Sequence, residues 1–102
     1  MENIVSKRLF QGFIYLHILH HAEIEPFYGS WMLEELSGHG YKLSPGTLYP
    51  MLHGLEELGI LVQDSKTVQG KIRKYYSITP KGREESAAAR LYLQELLGEI
   101  KL

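Results

Sequence analysis

Three kinds of side chain here could do chemistry by their type and spacing. The first is a histidine trio, His17, His20 and His21, with Glu23 and Glu25 close behind. Histidines three or four residues apart share a helix face, and a pair four apart can hold one metal ion. The sequence contains no cysteine and shows no second cluster to complete a ligand set. The expectation is therefore a histidine patch at a surface or interface, with no metal and no cofactor. The second kind is the adjacent carboxylate pairs Glu34-Glu35, Glu56-Glu57 and Glu84-Glu85. Neighbours on a helix point in different directions, so these read as solvated surface and not as an acid/base pair. There is also no nucleotide-binding glycine loop and no nucleophile elbow, so an enzyme is not expected.

The third kind is cationic. Between Asp64 and Arg83 lie Lys66, Lys71, Arg73, Lys74, Lys81 and Arg83 against the single anion Asp64, a local charge of +5 in a chain whose total is −1. The total excludes a uniformly basic nucleic-acid binder, while the asymmetry points to a local anion-contacting strip.

These residues need elements to position them. Ser44 to Gly59 carries the start and stop signals of a helix: a capping serine, a proline at the first turn and a terminal glycine. Leu48, Leu52, Leu55 and Leu58, with Met51 beside them, form its buried face. The opposite face carries Gly46, Pro50, His53 and Glu57, flanked by Thr47 and by Tyr49, which lies at the edge between the two faces. Pro50 is expected to bend this helix locally while it runs through, with a break at Pro50 as the alternative. Ser6 to His21 reads as a first helix, apolar nearly all round, and Tyr28 to Leu36 as a second, ended by Ser37-Gly38-His39-Gly40. Tyr41-Lys42-Leu43 could pair at a sheet edge. Ile60 to Ser65 and Lys71 to Thr79 alternate as strands of a hairpin, and Thr79-Pro80 opens a last helix. The last helix places Leu93, Leu96, Leu97 and Ile100 on one stripe.

The fold class expected is mainly α with a small β-hairpin: a winged helix-turn-helix over residues 1–79 plus a C-terminal dimerisation helix over 80–102, in one structural unit. In that order of elements the third helix enters the major groove of double-stranded DNA and the wing meets the backbone. Lys66, Lys71, Arg73 and Lys74 would supply phosphate contacts. The reading helix contains no lysine or arginine, which leaves hydroxyl, backbone, tyrosine and shape readout. Docking of the same helix on a partner protein is the alternative.

The residues also resemble the PadR-like transcriptional regulators, in the short subfamily with one C-terminal helix. The resemblance lies in Tyr28-Gly29, in L-S-P-G-T-L-Y-P-M-L from Leu43 to Leu52, in L-E-E-L-G-I-L from Leu55 to Leu61, and in R-K-Y-Y-S-I-T-P-K-G-R-E from Arg73 to Glu84. It implies a cytoplasmic homodimeric repressor, released in some members by a small aromatic or cationic hydrophobic compound near the dimer interface. It matches Ser44, Pro45, Gly46, Thr47 and Tyr49 to the groove-facing segment, and Lys71, Arg73, Lys74 and Tyr75 to the wing. Where many relatives carry a cation, this chain has His53-Gly54.

An interface between subunits would use Leu9, Phe10 and Phe13 of the first helix with Leu93, Leu96, Leu97 and Ile100 of the last. An effector would find Phe10, Phe13, Tyr15, Tyr92 and Leu96 there, while Trp31 fits core packing better. No apolar run reaches the ~20 residues needed to span a bilayer, and no signal peptide is visible. The absence of cysteine fits a reducing cytoplasm.

Overall fold

A computed structural model describes residues 3–102. Helix α1 spans Ile4–Ile24 and starts where the Asn3 side-chain oxygen accepts from the Val5 and Ser6 amides at 3.0 and 3.2 Å. Its inner face buries Ile14, Ile18, Leu19 and Ala22. Leu9, Phe10 and Tyr15 remain exposed on the same helix, so its apolar surface exceeds what this chain covers.

Strand β1, Phe27–Tyr28, follows, then α2, Gly29–Gly38, which buries Met32 and Leu36 one turn apart. The reading helix is α3, Pro45–Glu57, and it continues without a break through Pro50. Leu48, Leu52 and Leu55 are buried, but Leu58 is exposed, because it sits on the cap beyond the last turn. Gly59 takes φ +75°, as its terminal position predicts.

Strands β2, Leu61–Val68, and β3, Lys71–Ile78, form the hairpin, turned by Gln69 and Gly70 at φ 51° and 78°. Lys66 consequently lies in a strand and not in the loop. The sheet order is β1-β3-β2, all antiparallel, and the third strand is Phe27–Tyr28 paired with Tyr76 and Tyr75. This corrects the expectation for Tyr41-Lys42-Leu43, which forms no strand. Phe27 wins the edge because its ring can stack on buried Tyr76, centroids 5.7 Å apart. The Tyr76 hydroxyl accepts from Gln63 Nε2 at 3.3 Å.

Helix α4, Pro80–Glu99, begins with the Thr79 hydroxyl accepting from the Gly82 amide at 3.0 Å. Beyond Ser86 no residue of α4 is buried, although Arg90 pairs with Glu23 of α1. Leu96, Leu97 and Ile100 are each more than 40% exposed and Leu93 is half-buried.

The α2–α3 crossing is close at Gly29, where a β-carbon would collide with the Tyr49 ring. Gly29→Ala is expected to lower stability by roughly 1–3 kcal/mol, the usual range for overpacking. Thermal unfolding checks this, and adding Tyr49→Ala should return part of the loss, since the two positions are coupled.

Candidate nucleic-acid interface

The first turns of α3 and the hairpin carry the candidate contacts. Ser44, Pro45, Gly46, Thr47 and His53 are exposed on α3, as the helical spacing predicts. Ser44 has the extended backbone of a helix cap but makes no side-chain capping bond. Its hydroxyl instead lies 3.2 Å from that of Thr47. Two hydroxyls therefore meet at the positive end of the helix, where acceptors such as phosphate or base oxygens are favoured. Tyr49 differs from its neighbours. It is half-buried, its ring leans on Gly29, and it faces His53 at 6.3 Å. Packing α3 onto α2 therefore takes up much of its surface.

The β2–β3 register divides the basic residues between two faces. Lys66 opposes Arg73, Val68 opposes Lys71 and Asp64 opposes Tyr75, whereas Ser65 opposes Lys74. Directly opposed side chains share a face, so Lys66, Lys71, Arg73 and Tyr75 lie together and Lys74 lies on the other side. Tyr28 joins the first group across the β1 edge. Its ring meets Tyr75 edge-on at 5.6 Å, and the Arg73 guanidinium sits 4.4 Å from the Tyr28 centroid. Lys66 Nζ lies 5.3 Å from the Tyr75 ring. These cation–π contacts hold Lys66 and Arg73 in place, while Lys71 and Lys74 are exposed.

Packing adds contacts that the sequence does not reveal. Lys7 and Arg8 of α1 line the same hollow of about 530 Å³ as Thr47 and Met51, which brings two cations beside the reading helix. Only tertiary packing brings the start of α1 and the start of α3 to one hollow. The five candidate effector residues do not converge within one chain. Phe10 and Tyr15 line that hollow, Phe13 lines another with Leu93, and Tyr92 and Leu96 are exposed. A separate cavity of about 370 Å³ is lined by His21, Phe27, Tyr28, Trp31, Glu35 and Tyr75. Trp31 thus borders a cavity as well as packing against the core.

The histidine trio is also rearranged by the fold. His39, at the end of α2, stands 4.6 Å ring to ring from His17, while His20 stays exposed. Burial pushes the imidazoles of His17 and His21 below the ordinary histidine range. Neighbouring histidines push both further down, and Glu35 opposes the shift.

No described helix is long and apolar enough to cross a membrane. The model of the transcriptional regulator PadR-like family matches residues 18–88. Transcriptional regulator Rv3488 of Mycobacterium tuberculosis is 49% identical over 85 residues, covering 83% of this chain and 79% of that protein. A PadR family transcriptional regulator from Eggerthella lenta superposes with a TM-score of 0.80 at 29% identity, over 94% of this chain and 88% of that one. A PadR-like transcription factor from Bacteroides fragilis gives 0.76 at 29% identity, over 93% and 92%. Family, relative and neighbours are transcriptional regulators and not enzymes, and the two solved neighbours share the winged helix-turn-helix architecture with its small antiparallel sheet. By sequence and by fold, this chain belongs to the transcriptional regulator PadR-like family.

Proposed function

We propose that this regulator is a homodimeric repressor in which each subunit offers α3 to a major groove and its hairpin to the adjoining backbone. The observation that carries the reading is the pairing of an exposed Ser44–Thr47 hydroxyl cluster with a basic hairpin in one domain. Phosphate contacts from Lys66, Lys71, Arg73 and Lys74 supply affinity, and α3 supplies discrimination. The dimer forms through α1 and α4, whose Leu9, Phe10, Leu96, Leu97 and Ile100 are exposed in the single chain. Leu93 and Phe13 continue the stripe. A small hydrophobic or aromatic effector releases the duplex; Phe10, Phe13, Tyr15, Tyr92 and Leu96 converge on it only once two subunits meet. The protein acts in the cytoplasm, where its operator lies.

Selection of bound duplexes from a random pool tests this reading. A recurrent two-fold motif, with binding that falls steeply as salt rises, is the expected result. Thr47→Ala should change the preferred bases at one position per half-site by about 1–3 kcal/mol while leaving the salt slope unchanged. Failure to enrich any duplex at low salt would transfer α3 to the alternative role of docking on a partner protein.

A further inference from the structure

Two side-chain pairs, each spaced four residues apart, face each other across the contact between α1 and α2. His17 and His21 come from α1; Glu35 and His39 come from α2. Each of the three histidines offers one ring nitrogen, and these nitrogens lie within 4.8 Å of one another. The same carboxylate oxygen, Glu35 Oε2, is 3.1 Å from His39 Nε2 and 3.7 Å from His21 Nε2. A second observation is independent of this spacing: His21 Nε2 is buried and has no hydrogen-bond partner among the described residues. A buried ring nitrogen without a partner is unfavourable, and a cation at the centre of the cluster would satisfy it.

We propose that His17, His21, His39 and Glu35 form a binding site for a divalent transition-metal ion of the zinc class. Three imidazoles and one carboxylate, with no thiolate, suit a borderline ion bound tetrahedrally. Bonds of about 2.0–2.1 Å place tetrahedral ligand atoms about 3.4 Å apart, so the Glu35 distances to His39 and His21 already fit, the histidine nitrogens close by up to about 1.4 Å, and Glu35 turns toward His17 to complete the set. His39 is exposed where α2 ends, and its side chain can make that adjustment. Tyr41, 5.2 Å from the His17 ring, and Trp31, edge-on to His21 at 5.5 Å, border the cluster with aromatic surface. The ion ties α2, which packs behind the reading helix, to α1.

The test uses the untagged chain, because an affinity tag of histidines would bind the same ions. Cobalt(II) is titrated first, as a spectroscopic stand-in, and zinc(II) is then added to displace it. One ion per chain is expected, with the intense visible absorption of four-coordinate cobalt, lost on zinc addition because zinc binds such sites more tightly. His39→Ala and His21→Gln should each abolish that absorption, and His20→Ala should retain it. Zinc should also raise the unfolding temperature of the parent chain in a concentration-dependent way, and not that of His39→Ala. Should His21→Gln fail to fold, the exposed His39→Ala decides alone. Absence of stoichiometric uptake, uptake that survives His39→Ala, or equal loss in His20→Ala overturns the assignment. Uptake is read without DNA, and duplex affinity is read on the ion-free chain. A failure of the metal site is thereby kept apart from a failure of the repressor reading.

Discussion

Leu97→Glu is expected to sediment as a monomer, whereas the parent chain is expected to sediment as the proposed dimer. Leu97 is 48% exposed in the single chain and lies on a stripe with half-buried Leu93 and exposed Leu96 and Ile100 that its own domain covers only in part. Burying the exposed half of this leucine contributes about 1 kcal/mol, and a two-fold interface contains each residue twice. Losing both copies costs about 2 kcal/mol, roughly thirtyfold in the dimer dissociation constant. A carboxylate facing the same apolar surface adds a desolvation cost. Position 97 is exposed, so the monomer itself should keep its fold and its unfolding should stay cooperative. Duplex affinity should fall with dimerisation, because a lone domain engages one half-site without the second binding event becoming intramolecular. An unchanged dimer would remove α4 from the interface.

Reversing the wing charges should abolish most DNA binding on every sequence alike. The structure directs which lysines to change. Arg73 and Lys66 are engaged with Tyr28 and Tyr75, so changing them would perturb the sheet as well as the charge. Lys71 and Lys74 are exposed, and the strand register puts them on opposite faces of the hairpin. Lys71→Glu with Lys74→Glu therefore removes one cation from each face without disturbing the aromatic contacts. Each lost phosphate contact lowers the slope of log affinity against log salt by about 0.9, so a dimer losing one contact per wing should show a slope shallower by about 1.8. Charge-assisted contacts contribute about 1.5 kcal/mol or more, and the loss at fixed salt should reach a hundredfold or greater. Fluorescence anisotropy across a salt series measures both quantities. The single substitutions then assign the face that meets the backbone: the lysine whose reversal reproduces most of the slope change lies on it. A double variant with the parent slope would mean that the hairpin does not touch DNA.

Much of this architecture is legible from local signals. Thr79-Pro80 and Pro45 begin helices because capping and a fixed φ act within a single turn. The leucine spacing of α3 marks its buried face, and Gly70 marks the hairpin turn, for the same reason: each depends on neighbours a few residues away. The exceptions follow that logic. Leu58 fits the leucine period but falls past the last helical turn, and Ser44 finds the Thr47 hydroxyl before it finds an amide.

The sequence by itself determined the order of the four helices and the hairpin, the basic strip and the family pattern, since propensity, capping and charge are carried by residues close together in the chain. Tertiary packing alone decided which distant residues meet. It chose Phe27–Tyr28 over Tyr41-Lys42-Leu43 as the third strand, because stacking on Tyr76 depends on where the hairpin lies. It turned Tyr49 toward Gly29, set Lys7 and Arg8 beside Thr47, and brought Lys66 to the face of Lys71 and Arg73. It also brought His39 to His17 and His21, a juxtaposition that arises only when α2 crosses α1. Such contacts depend on the angle and register at which whole elements pack, and no short window of sequence encodes those.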